Sequence, residues 1–457
     1  MATTRPICRL LTLGCKVNQY ETQYARELFE ANGWREAADG TPADLCLVNT
    51  CTVTAEADAK GRQLIRRLAR ENPRATLVVM GCYATRDPGA VARLPRVAKV
   101  ITDKERLAEE LRPFGITHVP RGISRFDGHQ RAFVKVQDGC LLHCSYCIIP
   151  RGRPHLRSRP IDEIVDEVER LAARGCQEIV LTGIHLGHYG IDLSRGLPKS
   201  RWNRLWHLLE RLAELPGEFR VRLSSLEAAE VREDLVRVLA SSPRFCPHLH
   251  LCLQSGSDRI LALMRRRYTS AGFLERCRRL ETALDQPAFT TDVIIGFPGE
   301  TEADFEETCR VLRAVGFCKI HVFSFSPRRG TPAALLSNAV PSAIVAQRRR
   351  RMRELERELG TAYRRRLLGR RLDVLVEGAD SDRPGWVRGT SCRSIPVAFE
   401  GHTAALLRCR VPVEAAEVAR DCILARPVPK GEGIPLPTMR FPSATWSRIT
   451  LPILPSM

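Results

Sequence analysis

Apolar runs and helical stripes alternate along the first hundred residues. Residues 8–13 (CRLLTL) are a short apolar run ending in Gly14-Cys15. Residues 18–32 then put Tyr20, Tyr24, Leu28 and Phe29 on one helical face, with Gly33 as the stop. Residues 45–48 predict a second strand and residues 55–70 a second helix, striped by Leu64, Ile65 and Leu68. Asn72-Pro73 breaks that helix, and residues 76–80 (TLVVM) predict a third strand. The pattern is that of an open, flavodoxin-like α/β domain over residues 6–118.

Each of these strands runs into a small or polar residue and then a cysteine, at Cys15, Cys51 and Cys82. In an open parallel sheet the carboxyl ends of the strands line one edge. The three thiols therefore converge there, although they are far apart in sequence. Three convergent thiolates suit an iron–sulfur cluster with one open iron, or a zinc with one open position. Cys8 and Cys46 lie inside strands and read as small buried hydrophobes.

The period changes little in the middle of the chain. Residues 131–137 predict a strand entering Asp138-Gly139-Cys140, and Cys144 and Cys147 follow in a C-x3-C-x2-C loop. Three thiolates so close wrap three corners of a cubane cluster and leave one iron free for a small chelating ligand; zinc is the competing reading. His143 lies inside that loop and reads as no ligand. Further strands are predicted at 178–182, 219–223, 248–253, 289–295 and 319–325. Helices are predicted between them at 161–174, 206–214, 231–240, 270–284 and 302–315. This is a partial (βα)6 barrel of TIM type over residues 126–362, with a basic helical linker at its end. Chemistry in such a barrel sits at the carboxyl ends of the strands. Those ends are small, polar or Gly-rich, and Tyr146, Gly183, Ser225 and Gln254 are candidates for the cofactor cradle. His185 and His188 read as packing or cofactor-loop residues.

Beyond the barrel, residues 347–371 are dense in Arg, with Glu mixed in over a helix at 348–359. Such a run is either a solvated helix face or a phosphate contact. Short strands at 372–376, 386–389, 395–399, 404–409 and 422–425 predict a small antiparallel β-barrel over 363–428, similar to oligonucleotide-binding folds. Trp386, with Arg388 and Arg393, reads either as a nucleic-acid contact or as core. The Pro-rich tail, 429–457, predicts irregular structure.

Composition narrows the class. The chain is 44% hydrophobic and 27% charged, as expected for a globular protein, and its net charge of +19 favours a polyanionic partner. Seventeen cysteines in 457 residues are too sparse for a disulfide scaffold. With no secretory signal and no membrane-length apolar run, the expectation is a reduced, cytoplasmic compartment and no membrane.

Taken together, residues 12–22 (TLGCKVNQYET), 49–54 (NTCTVT), 79–84 (VMGCYA) and 137–150 (QDGCLLHCSYCIIP) resemble the radical S-adenosylmethionine methylthiotransferase family. Residues 253–257, 265–269 and 325–331 match it as well. Two departures stand out: Leu141, where the family has Asn, and the loop 151–157. The opening around Cys15 is most similar to the branch acting on N6-threonylcarbamoyladenosine at tRNA position 37. Sister branches act on isopentenyladenosine in tRNA or on an aspartate of a ribosomal protein. The resemblance implies two 4Fe–4S clusters. Cys140, Cys144 and Cys147 would hold the one that cleaves S-adenosylmethionine, and Cys15, Cys51 and Cys82 the auxiliary one that delivers sulfur. It implies hydrogen removal from adenine C2 by a 5′-deoxyadenosyl radical. It also implies a tRNA-gripping TRAM domain at 363–428, and an electron donor and a sulfur donor of unknown identity. From another class, a non-catalytic, zinc-containing RNA-binding protein would be colourless and hold no iron.

Overall fold

The computed structural model of the chain describes residues 5–38 and 40–428. Its first sheet has five parallel strands in the order Arg35–Glu36, Ile7–Thr12, Leu45–Thr50, Thr76–Gly81, Val97–Val100. Both faces are covered. Leu10, Leu28, Phe29 and Leu47 pack on one side, and Val48, Ile65, Leu68 and Val79 on the other. That double burial explains why Leu45–Thr50 reads as a continuous apolar run. The helix Ala55–Glu71 starts where Thr54 accepts a hydrogen bond from the Ala57 amide, and carries Glu56 and Asp58 in its first turn.

Two four-stranded sheets form the centre. One has the order Arg157–Ser158, Ala132–Asp138, Glu178–Gly183, Arg220–Leu223; the other Ser225–Leu226, His248–Leu251, Ala288–Ile295, Lys319–Ser324. A parallel bridge between Val221 and Phe245 joins them. All pairings are parallel except the short Arg157–Ser158 edge. The helices between them present apolar faces to one large core, as between Ile161–Ala173 (Ile164, Val168, Leu171) and Leu205–Glu214 (Leu208, Leu209, Leu212). Ala132–Asp138 and Lys319–Ser324 do not pair with each other, so the barrel is open along one side. The six long strands of the expected partial barrel are all present.

The C-terminal strands close into a barrel in the order Arg371–Ala379, Trp386–Ser391, Pro396–Glu400, Ile423–Pro427, Arg410–Val418. Here two sequence expectations are corrected. Residues 404–409 are not a strand: Thr403–Leu406 is a short helix, and the strand begins at Arg410. The basic helix is longer than 348–359, running Ser342–Arg366, because Met352, Leu355, Leu359 and Tyr363 bury one side of it. The Pro-rich tail lies outside the described residues.

A buried carboxylate helps tie this barrel to the core. Glu178 is fully buried and accepts from Arg220 Nε at 2.7 Å and Arg222 Nε at 2.9 Å. The same two guanidiniums donate onward to the carbonyls of Asp373, Thr390, Ser391 and Cys392, at 2.6–3.0 Å. Buried charges persist only when paired and hydrogen-bonded in this way.

Candidate active site between two cysteine triads

Cys15, Cys51 and Cys82 each follow a strand of the first sheet, at its carboxyl edge. Cys15 caps the helix Lys16–Ala31, and Cys82 opens the helix Cys82–Arg86. Two glycines let the backbones close in. Gly14 has φ +119°, and a Cβ there would lie 3.1 Å from the Cys51 Cβ; one on Gly81 (φ +100°) would meet the Thr50 carbonyl at 2.4 Å. Burial raises the Cys15 and Cys51 thiols, and the neighbouring Cys82 raises both further. Thiols that destabilise one another's thiolates fit a shared cluster or metal, which would neutralise them together.

The second triad lies on the loop after Ala132–Asp138. A Cβ on Gly139 (φ +74°) would sit 2.1 Å from the His155 carbonyl, so only glycine makes this turn. Ser145 anchors the loop, its amide donating to Met264 at 3.0 Å and its hydroxyl to Leu263 at 2.6 Å. Burial pushes the Cys140 thiol up to about 11 and Cys147 up to about 12, with Cys144 adding to both. This set fits a shared cluster for the same reason.

One guanidinium reaches a sulfur in each triad. Arg153 Nε donates to Cys82 Sγ at 3.2 Å. Its other nitrogens bond Asn18 at 2.7 Å, Glu21 at 2.7 Å and Asp138 at 2.7 Å. Arg266 Nη1 donates to Cys144 Sγ at 3.3 Å, and Nη2 lies 3.2 Å from Glu227. Motif reading missed Arg153, because its loop departs from the family pattern; its one signal was an Arg close after the third cysteine. Arg266 was quoted only as part of a matching run.

The cradle candidates do not share one cavity. Gly183 and Ser225 line a cavity of about 1200 Å³ that also reaches Cys15. A Cβ on Gly183 would press on Gln137, which accepts from the His185 amide. Tyr146 packs beside Phe297 and Met264. Gln254 sits at φ +61° with its amide held by the Asp292 carbonyl at 3.0 Å. Its Oε1, together with Ser224 Oγ and His185 Nδ1, is buried with no partner among the described residues. Orphaned polar atoms at neighbouring strand ends fit a ligand bearing amine, carboxylate and hydroxyl groups.

His185 stacks on His188 at 3.9 Å, and with Glu230 the pair places ligand-type atoms within 4.8 Å of one another. Both rings are already engaged. His185 Nε2 meets Glu227 at 3.1 Å, and His188 Nδ1 accepts from the Leu141 amide at 3.3 Å. Burial, reinforced by His185, lowers His188 to about 4, which keeps it neutral for that role. His143 is exposed.

Three residues read as nucleic-acid contacts are otherwise occupied. Arg348 is buried and pairs with Glu300 at 2.8 Å. Arg393 bonds Asp285 and the Gln286 carbonyl across the domain boundary, and Arg388 pairs with Asp421 at 2.6 Å. Trp386 is half-buried, with the Arg383 guanidinium 5.9 Å from its ring. Arg349, Arg350, Arg353 and Arg357 are exposed on the basic helix.

Comparison with known proteins agrees with this layout. Residues 134–312 match the Radical SAM superfamily, and residues 8–103 match the uncharacterized protein family UPF0004. The threonylcarbamoyladenosine tRNA methylthiotransferase of Chlamydia pneumoniae is 40% identical, over 82% of this chain and 88% of that one. The tRNA-2-methylthio-N(6)-dimethylallyladenosine synthase of Methylacidiphilum infernorum is 33% identical, over 82% and 84%. Among solved structures, a radical S-adenosylmethionine methyltransferase from Kitasatospora setae, with cobalamin and a [4Fe-4S] cluster bound, superposes with a TM-score of 0.55. It is 16% identical, over 73% of this chain and 77% of that one, a likeness of fold alone.

Proposed function

Because the chain belongs to the radical S-adenosylmethionine tRNA methylthiotransferase family, we propose that it attaches a methylthio group to C2 of N6-threonylcarbamoyladenosine at tRNA position 37. The observation that carries this reading is the pair of three-cysteine sites, with one cavity reaching from Cys15 to the barrel strand ends at Gly183 and Ser225. Cys140, Cys144 and Cys147 would hold the 4Fe–4S cluster that binds S-adenosylmethionine, and Cys15, Cys51 and Cys82 the auxiliary one. When bound, these groups supply the radical that activates C2 and the sulfur that joins it.

The chain's own part is placement. Ser145 and Gly139 fix the cysteine loop, and Ser224, Gln254 and His185 present free polar atoms to the cofactor. Arg153 and Arg266 set the charge around the two sites. The open side of the barrel is the route by which an extruded base reaches the cavity. The exposed Arg349, Arg350, Arg353 and Arg357, with the closed C-terminal barrel as a TRAM domain, would hold the tRNA backbone. No described helix is long and apolar enough to cross a membrane; a tRNA substrate supports a cytoplasmic setting.

The test is anaerobic. The chain is reconstituted with iron and sulfide, then given S-adenosylmethionine, reductant and tRNA bearing threonylcarbamoyladenosine. A methylthio gain on that nucleoside by mass spectrometry is expected. If 5′-deoxyadenosine forms without that gain, the substrate is wrong. If the protein is colourless and holds zinc, the chemistry is wrong.

A further inference from the structure

The cations that line the cavity differ in one respect. Arg131 and Arg222 are committed to Glu178, at 3.3 and 2.9 Å, and Lys319 is committed to Glu356 at 2.5 Å. Lys16 also lines the cavity, yet among the described residues no carboxylate or carbonyl holds its ammonium. It is the residue after Cys15 and the first of the helix Lys16–Ala31, so its backbone is fixed. Arg131, Arg222 and Asp292 line the same cavity, and none of them pairs with Lys16. Arg357 and Arg420 line the cavity where it meets the C-terminal barrel, a position suited to backbone phosphate. Lys16 stands instead beside the auxiliary cysteines, where the base must come.

The two kinds of relative act on nucleosides that differ in charge. A threonylcarbamoyl substituent ends in the α-carboxylate of threonine, whereas a dimethylallyl substituent is a neutral hydrocarbon. Lys16 is exposed at the mouth of the cavity, and its free ammonium rewards the first and leaves the second without a partner. We propose that Lys16 is a specificity residue whose ammonium pairs with the threonyl carboxylate of the target nucleoside. This rests on the substrate reading above.

The test uses the reconstituted full chain and two anticodon stem-loop RNAs. One carries threonylcarbamoyladenosine; the other carries the same nucleoside with its carboxylate converted to the carboxamide. For each enzyme the readout is the ratio of kcat/KM on carboxylate RNA to kcat/KM on carboxamide RNA, with iron content measured alongside. In Lys16→Met and Lys16→Gln the ratio falls at least about tenfold, the scale of a lost charge-assisted hydrogen bond. Lys16→Arg restores most of it. An unchanged ratio in the iron-replete variants overturns the proposal, because a structural role for Lys16 would affect both RNAs alike. A wild-type chain that methylthiolates neither RNA overturns the substrate reading itself.

Discussion

Arg153 donates from Nε to the sulfur of Cys82 at 3.2 Å, and the same guanidinium bonds Asp138, two residues before Cys140. One buried side chain therefore touches a cysteine of the first triad and the strand end that leads into the second. Hydrogen bonds and charge at cluster sulfurs tune reduction potentials. Arg153→Lys, which keeps the charge but loses the planar donor, should lower the midpoint potential of the auxiliary cluster. A potentiometric titration followed by electron paramagnetic resonance checks this, and an unmoved potential would mean the contact is structural only. Arg153→Gln leaves two carboxylates short of a partner and should destabilise the fold by about 3 kcal/mol in denaturant unfolding.

The same network gives stability an acid limb. Burial alone would raise the Glu21 carboxyl from its ordinary value of 4.5, but Arg153 and Lys135 outweigh it and bring it down to about 2. A carboxyl lowered in the fold contributes fully above its unfolded value and loses that contribution as pH falls toward the folded one. Unfolding free energy should therefore drop between about pH 4.5 and pH 2. Glu21→Gln should be less stable at pH 7 and show a shallower acid slope by chemical denaturation across that range.

The two triads should separate genetically. Cys144→Ala is expected to abolish 5′-deoxyadenosine production. Cys15→Ala should leave it and stop the methylthio gain, with product analysis by mass spectrometry deciding. If both products vanish in Cys15→Ala, the division of labour between the sites is wrong.

Arg348 and Arg349 are neighbours with different work. Arg349 is exposed, so Arg349→Glu should weaken tRNA binding and reduce the slope of log affinity against log salt by about one. Arg348→Glu faces buried Glu300 and should cost stability first, visible as a lower Tm before any binding is measured.

Those two arginines also mark what could be read from the chain alone. Strands and helices were legible because burial writes a period into the sequence, and Cys15, Cys51 and Cys82 stood out because each follows a strand. Pairing is not written that way. Nothing local says that Arg348 turns inward to Glu300, that Arg393 spends its donors on Asp285, or that Lys16 stays free. The segment 404–409 failed for a related reason. Its apolar residues suggested a strand, but Thr403–Leu406 turns as a helix, and the Arg408 amide donates to the Val376 carbonyl, next to the strand that starts at Arg410.

The carboxylate at Glu178 has a bearing on how the protein is made. Two of its three guanidinium partners, Arg220 and Arg222, complete their hydrogen bonds on carbonyls of Asp373 and of residues 390–392. During synthesis those carbonyls leave the ribosome well after the barrel strands that carry Arg220 and Arg222. Until then Arg220 and Arg222 have Glu178 but lack those carbonyls. The floor of the barrel is therefore expected to close only after the C-terminal strands have been made.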